Sequence, residues 1–293
     1  MKISTSPNHG IAAGLSVRES LRTMKQAGFD GIDLSFCEWM NEPEKYLTRK
    51  WTTRVTELAH IAREEGLEIA QGHLPYYPGH LDNPGDGSAK AFCGEWMPRY
   101  LHGLEAVGLT RCPIVVIHPM YKLEGLEATV DANAYIISQM LPALRDAGAR
   151  LAVENTFIRR EKKYVPCSIE RAETIAGIVD AVNDPLVGAC MDTGHANIFR
   201  FDICEFARTL GKRLFCLHVN ANAGEDEHAI PLTISGWTER MDFGAFGETL
   251  KEIGYAGWYN LEVSGGRFPK EAARPFYEYA AIVARHLAKG EVQ

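Results

Sequence analysis

Short, continuously apolar runs alternate along this chain with longer amphipathic stretches. Continuous apolar runs are typical of strands in a parallel sheet, because helices cover both faces of such a sheet. Eight runs occur, separated by roughly 25 to 45 residues, enough for a strand, a crossover helix and two loops. The predicted strands are Ile3–Ser6, Gly31–Phe36, Leu67–Gly72, Ile114–Ile117, Arg150–Glu154, Val187–Met191, Leu214–Val219 and Trp258–Val263.

The stretches between these strands have helical spacing, and most of them end at a glycine. The predicted helices are Ser16–Ala27, Arg54–Glu65, Glu95–Val107, Ala134–Ala147, Ile169–Val182, Cys204–Leu210, Asp242–Ile253 and Pro275–Lys289. The order of helix, glycine, turn and strand recurs at α/β-unit length, which favours one closed barrel over two domains. We therefore predict a single α/β domain over residues 1–293, a (β/α)8 TIM barrel with a C-terminal helix at about 275–289.

Composition, charge and cysteine content indicate an ordinary globular protein and do not identify its function. Hydrophobic residues make up 46% of the chain and charged residues 24%, which are ordinary globular values. The net charge of −7 gives no sign of affinity for nucleic acid or for an anionic membrane. Seven cysteines without a C-x-x-C pair indicate a reduced protein. Because we find neither a signal-peptide core nor an apolar run long enough to cross a membrane, the predicted location is cytoplasmic.

Six apolar runs end in a residue that can ligate a metal or move a proton. They are Leu67–His73, Pro113–His118, Leu151–Glu154, Leu186–Asp192, Leu214–His218 and Tyr259–Glu262. In a parallel barrel the carboxyl ends of the strands meet at one face, where active sites lie. Packing alone does not explain six such residues in register, so the pattern predicts a shared metal site.

Glu154, Asp192, His218 and Glu262 are the strongest metal candidates. Both glutamates follow apolar residues and should enter a semi-enclosed cavity, where a buried carboxylate must be paired, hydrogen-bonded or metal-bound. This mixed set of oxygen and nitrogen ligands suits Mn²⁺, Co²⁺ or Zn²⁺ better than an all-oxygen Ca²⁺ site.

Other polar residues have two readings each. His73 and His118 are either additional metal ligands or hydrogen-bonded histidines at the rim of the barrel. Asp226 and His228 are either metal ligands or part of a solvated turn. The basic segment Arg159–Lys163, with Arg160, either meets a phosphate or carboxylate at the rim or is a solvated loop. Aromatic residues predicted near the rim, which either stack on a sugar ring or pack within loops, are Trp39, Tyr76, Tyr77, Trp96 and Trp237.

The motifs at the strand ends resemble those of the xylose isomerase-like TIM-barrel superfamily. They are VENT (153–156), MDTGHAN (191–197), LHVN (217–220), DEH (226–228) and NLEV (260–263). The resemblance implies that Glu154, Asp192, His218 and Glu262 bind the principal divalent ion and that His195 lies beside the substrate. It also matches His73, His118, Asp226 and His228 to ligands of two further zinc ions in the apurinic-site endonuclease branch.

The resemblance favours a metal-dependent isomerase or epimerase acting on a sugar, a sugar phosphate or a polyol-derived ketone. Glu154 and Glu262 would remove and return a proton next to a carbonyl. The alternatives are a dehydratase of an inosose-like substrate and a multi-zinc apurinic-site endonuclease. Ketose 3-epimerases of the superfamily carry an arginine where this chain has Gly224, which puts that substrate class in doubt. Superfamily habit implies a homodimer.

Overall fold

A computed structural model describes residues 1–76, 89–121, 125–232, 241–264 and 268–290. Its main sheet contains the eight predicted strands, all in parallel pairs. They are β1 (Ile3–Thr5), β2 (Gly31–Ser35), β3 (Glu68–His73), β4 (Ile114–Ile117), β5 (Arg150–Glu154), β8 (Val187–Asp192), β9 (Leu214–His218) and β10 (Tyr259–Leu261). A parallel bridge between Val219 and Leu261 joins the two ends of the sheet. The fold is therefore a TIM barrel, as predicted.

Helices connect successive barrel strands. They are α1 (Asn8–Ala12), α2 (Val17–Ala27), α3 (Pro43–Tyr46), α4 (Arg49–Glu64), α5 (Ala89–Thr110), α6 (Leu126–Ala147), α7 (Ala172–Val182), α8 (Thr193–Ile198), α9 (Ile203–Leu210), α10 (Phe243–Glu252) and α11 (Ala273–Leu287). A capping box begins α2, since the Ser16 side chain accepts from the Glu19 backbone and Glu19 accepts from the Ser16 backbone. Gly28 ends the same helix with a φ of 104°, in the left-handed region.

Several predicted helix boundaries were wrong. Three helices begin earlier than predicted, at Arg49, Ala89 and Leu126, because one or two turns at the start of a helix are too short to show a helical period by themselves. The helix predicted from Ile169 begins instead at Ala172. The sequence pattern missed α1, α3 and α8, which have four to six residues each and are too short to show a helical period.

A two-stranded antiparallel hairpin, β6 (Ile158–Arg160) and β7 (Lys163–Val165), follows β5 and was not predicted. Ile158 is buried with Cys167 and Ile169 in a small apolar cluster, which anchors the hairpin to the barrel. The basic segment predicted as a loop is therefore ordered as the two strands and the turn between them. It lies directly after the strand that ends at Glu154.

The large core packs strands against helices, while a smaller cluster consists of strand residues: Ile114, Val116, Ala152, Cys190 and Cys216. Side chains two positions apart share one face of a strand, so Ala152 and Glu154 point to the same side of β5. The smaller cluster thus fills the barrel interior below the ring of strand ends. All seven cysteines are free. Within the described residues, no helix is both long and apolar enough to span a membrane.

Candidate active site

A cavity of about 730 Å³ opens at the carboxyl ends of the barrel strands. Its walls include the last residues of β3, β5 and the β10 region, His73, Glu154 and Glu262, together with His195 and Asp226 from the following loops. Ligand sites generally occupy concave cavities of this size, and in TIM barrels they lie at this face. The cavity therefore has the position and the dimensions of an active site.

Four predicted ligands converge at the floor of this cavity. Glu154, Asp192, His218 and Glu262 each contribute one donor atom, and the four atoms lie within 4.8 Å of one another. His218 Nδ1 is 3.0 Å from Glu154 Oε1 and 3.2 Å from Glu262 Oε2. The two glutamates therefore meet at one imidazole although they lie at the ends of β5 and β10, more than a hundred residues apart.

Burial and opposite charges set the ionisation of this cluster. Burial alone would raise the pKa of Glu154, but the His218 and His118 imidazoles outweigh it and hold that pKa well below its usual range. Burial would likewise raise the pKa of Glu262, and His218 again reverses the direction. Burial raises the pKa of Asp192 to about 7, against the pull of His195. Two carboxylates at the floor are thus ionised near neutral pH.

The tautomers of the surrounding histidines fit a metal centre. The Nδ1 atoms of His73, His195 and His228 each donate to a backbone carbonyl, at 2.7, 2.9 and 3.0 Å respectively. A carbonyl can only accept, so each ring turns its Nε2 toward a carboxylate: His73 toward Glu154 at 3.2 Å, and His228 toward Asp226 at 2.8 Å. A histidine held by a carbonyl at one nitrogen and free at the other is the usual arrangement of a metal ligand.

A buried atom that faces the other ligands supplies a separate test of whether a metal fits. Glu262 Oε2 lies 3.2 Å from His218 Nδ1, yet it has no hydrogen-bond partner within the described residues. A buried polar atom without a partner is costly unless something coordinates it. Three carboxylates and one imidazole match the ligand preferences of Mn²⁺, Co²⁺ or Zn²⁺. The residues therefore fit a divalent ion held by Glu154, Asp192, His218 and Glu262.

The remaining predicted ligands form two satellite groups around this floor. His73, His118 and Glu154 make one group, and His195, Asp226 and His228 make the other. His118 Nε2 lies 3.3 Å from Glu154 Oε2, and His195 Nε2 lies 3.7 Å from Asp226 Oδ1. Glu154 belongs to both the floor and the first group. The fold thus brings the nine predicted residues together: seven of them line the cavity, and Asp192 and His218 are fully buried next to Glu154 and Glu262.

Comparison with known proteins places the chain in a family. The sequence model of the xylose isomerase-like TIM barrel family matches residues 21–279. The chain belongs to this family. An uncharacterised protein of Methanocaldococcus jannaschii is 25% identical over 185 residues, which are 61% of this chain and 60% of that protein. The chain therefore matches less than two thirds of the length of that relative.

Solved structures with this fold include sugar epimerases. The D-psicose 3-epimerase of Clostridium cellulolyticum H10, solved with D-tagatose, has a TM-score of 0.69 and 17% identity, covering 99% of this chain and 98% of that one. The IolI protein, solved with a zinc atom, has a TM-score of 0.66 and 18% identity, covering 98% and 96%. At such identities the likeness shows a shared fold.

In this xylose isomerase-like barrel, sequence reasoning missed the residues that hold the ligands in place. Asp33, within β2, lies 3.7 Å from His218 Nε2 and accepts hydrogen bonds from Gln71 and Asn260. Two asparagines hold Asp192. The Asn155 side chain bonds the backbone N–H and carbonyl of Asp192, and the Asn220 amide donates to Asp192 Oδ2 at 2.8 Å. The sequence could have indicated a role for Asp33, because a charged residue inside the otherwise apolar strand GIDLS (31–35) needs a partner.

The structure separates the predicted rim residues. Arg159 and Tyr76 line the cavity, whereas Arg160 does not. Trp39 is not among the residues that line the cavity, and its ring packs partly buried against the core under the Arg54 guanidinium. Trp96 is likewise buried in the core. Tyr77 and Trp237 lie outside the described residues.

Gly194, in the D-x-x-H segment, is required by close packing beneath the site. A Cβ at this position would lie 1.8 Å from Asn220 Oδ1, and Asn220 is the residue that holds Asp192 Oδ2. We expect Gly194→Ala to lower the free energy of unfolding by about 1–3 kcal/mol, because Asn220 must move. Bound metal, measured by elemental analysis, should fall with it. Gly94→Ala is the matched control, since a Cβ there meets nothing within 4 Å; equal effects of both changes would contradict this role.

Proposed function

We propose that this chain is a divalent-metal-dependent isomerase or epimerase of a carbohydrate-like compound with adjacent carbonyl and hydroxyl groups. One observation carries the proposal: two ionised glutamates, the buried Glu154 and the partly buried Glu262, converge with His218 at the floor of a cavity. A carboxylate in such a position is a competent base toward a C–H bond next to a carbonyl. Two of them allow a proton to be taken by one and returned by the other.

Glu154, Asp192, His218 and Glu262 would hold the ion, whose identity we place among Mn²⁺, Zn²⁺ and Co²⁺. When bound, such an ion acidifies the C–H between a carbonyl and a neighbouring hydroxyl. One glutamate removes that proton, and the substrate keeps the electron pair as an enediolate. Return of a proton by the other glutamate to the opposite face of the same carbon gives the epimer. Return to the neighbouring carbon, together with transfer of the hydroxyl proton to the former carbonyl oxygen, gives the aldose–ketose isomer.

His195 and the cavity walls orient the substrate in this scheme. The Nδ1–H of His195 is fixed by the carbonyl of Asn155, so its Nε2 remains available to a substrate hydroxyl beside Asp226. Tyr76 and Phe157 supply apolar wall surface against which the carbon skeleton can pack.

Exchange in D₂O tests this reaction directly. The metal-loaded protein is incubated with a panel of ketoses, their phosphates, inososes and hydroxy-keto acids, and products are read by NMR and mass spectrometry. We expect incorporation of one deuterium at a single carbon of one class of compound, because the removed proton equilibrates with solvent in the enediolate state. Turnover of a panel member without solvent deuterium would exclude this chemistry.

A multi-zinc phosphodiesterase is the second candidate. It is favoured by the two satellite groups, since His73, His118, Asp226 and His228 exceed what a one-metal reaction requires. Two metals flanking a phosphodiester are a known solution for its cleavage. The net charge of −7 weighs against a DNA substrate. Cleavage of abasic-site DNA much faster than any sugar reaction would make this the preferred function.

A further inference from the structure

The cavity contains one feature that the proposed reaction does not use, an arginine in its wall. Arg159 lies on the β6–β7 hairpin, opposite Tyr164 in the antiparallel register. Its side chain lines the same cavity as Glu154 and Glu262. Among the described lining residues, Arg159 is the only arginine or lysine.

The guanidinium of Arg159 is held in position but is not saturated with partners. It lies over the Tyr164 ring, 5.3 Å from the centroid, and its Nη2 is 3.5 Å from Glu225 Oε2. The Tyr164 hydroxyl donates to the same Glu225 oxygen at 3.1 Å and accepts from the Asp226 backbone at 2.8 Å. The ring and the carboxylate therefore fix the guanidinium beside the loop that carries Asp226 and His228. Among the residues that the structure describes, this one long contact leaves most of its five N–H donors available.

The contact with Glu225 is easily exchanged for a contact with a ligand. The side chains of Arg159 and Glu225 are 48% and 60% exposed, and ion pairs in such positions contribute little. A guanidinium matches the geometry of a phosphate or a carboxylate with two parallel hydrogen bonds. The rest of the cavity carries the carboxylates of Asp33, Glu154, Asp226 and Glu262. A negatively charged ligand would therefore orient its charge toward Arg159 and away from the floor.

We propose that the substrate carries an anionic group, a phosphate or a carboxylate, at the end remote from the reacting carbon, and that Arg159 binds it. This inference rests on the proposed function, since it assigns the substrate class of the same cavity. It makes Arg159 a specificity-determining residue. Glu225 then serves as the resting partner of Arg159, which the anion of the substrate replaces.

The test compares a ketohexose, its 6-phosphate and the corresponding hexuronate in the D₂O exchange assay. We expect the wild-type protein to prefer one of the two anionic compounds, and the phosphate and carboxylate arms separate the two sources of charge. In Arg159→Gln the ratio of kcat/KM for the anionic compound over the neutral one should fall by about 10- to 100-fold, mainly through KM. Arg159→Lys should recover part of it. Arg160→Gln removes the same charge from the neighbouring residue outside the cavity and should leave the ratio unchanged.

Calorimetric binding of inorganic phosphate to the metal-loaded protein separates this inference from the proposed reaction. Exchange with the neutral ketohexose and no preference for an anion would overturn the anion site while the isomerase proposal stands. No exchange with any compound, together with phosphate binding that only Arg159→Gln abolishes, would overturn the reaction and retain the anion site. Equal losses of selectivity in the Arg159 and Arg160 glutamine variants would also overturn the assignment.

Discussion

Replacing Glu262 by glutamine should lower kcat for proton exchange by about 10³-fold or more, with the fold retained. The amide has nearly the shape of the carboxylate but cannot accept the substrate proton, and it removes one charge that faces His218 at 3.2 Å. Glu154→Gln should have a comparable effect, because Glu154 lies 3.0 Å from the same imidazole and also contacts His73 and His118. Stopped exchange assays by NMR and circular dichroism spectra measure activity and folding in parallel.

The control for these variants is Glu173→Gln, on the exposed surface of α7, which should exchange protons at the wild-type rate. Metal content must be measured in each protein, because both glutamates are also proposed ligands. A variant that keeps its metal and loses exchange identifies the proton-transfer role. Exchange at the wild-type rate in either the Glu154 or the Glu262 variant would remove that residue from the mechanism.

The two glutamate variants also separate epimerisation from isomerisation. If the glutamates act on opposite faces of one carbon, each variant should still allow slow exchange from the face that the remaining glutamate serves. If a single glutamate moves the proton between neighbouring carbons, one variant should lose exchange entirely and the other should lose it only partly. The stereochemistry of the deuterated product distinguishes these outcomes.

Removal of the metal should abolish turnover and lower the melting temperature by roughly 5–10 °C. Without a cation, the ionised Glu154 and Glu262 are left close together beside Asp192, and Glu262 Oε2 remains without a hydrogen-bond partner in the described structure. An ion that binds only the folded chain stabilises it by mass action. Dialysis against a chelator, followed by calorimetry and exchange assays, measures both effects.

Readdition of Mn²⁺, Co²⁺ or Zn²⁺ should restore activity and melting temperature, whereas Ca²⁺ should restore neither, because the site includes an imidazole. Titration of the apoprotein also counts the ions. One ion per chain indicates that only the floor is occupied, and two or three indicate that the groups around His73 and around His228 bind as well. Full activity in protein that elemental analysis shows to lack metal would contradict the proposed metal-dependent reaction.

The sequence predicted the barrel because its strands are continuously apolar, and every barrel strand ended within a few residues of its predicted position. It also predicted which side chains gather at the carboxyl face of the barrel, since the residue that ends a parallel strand must emerge there. The boundaries of α4, α5 and α6 were less predictable. Their first turns lack a periodic apolar stripe, so local pattern does not define where they begin.

Tertiary structure alone decided how these side chains are grouped. Nothing local shows that Glu154 contacts His73, His118 and His218 at once, because the partners come from separate strands and their distances depend on barrel closure. The same holds for Asp33, whose role beside His218 depends on neighbours from β3 and β10. The sequence thus determined the barrel and the chemical character of its rim. Only the fold decided that Arg159 lines the cavity while Arg160 and Trp39 do not, because contact with the cavity depends on the hairpin and on core packing.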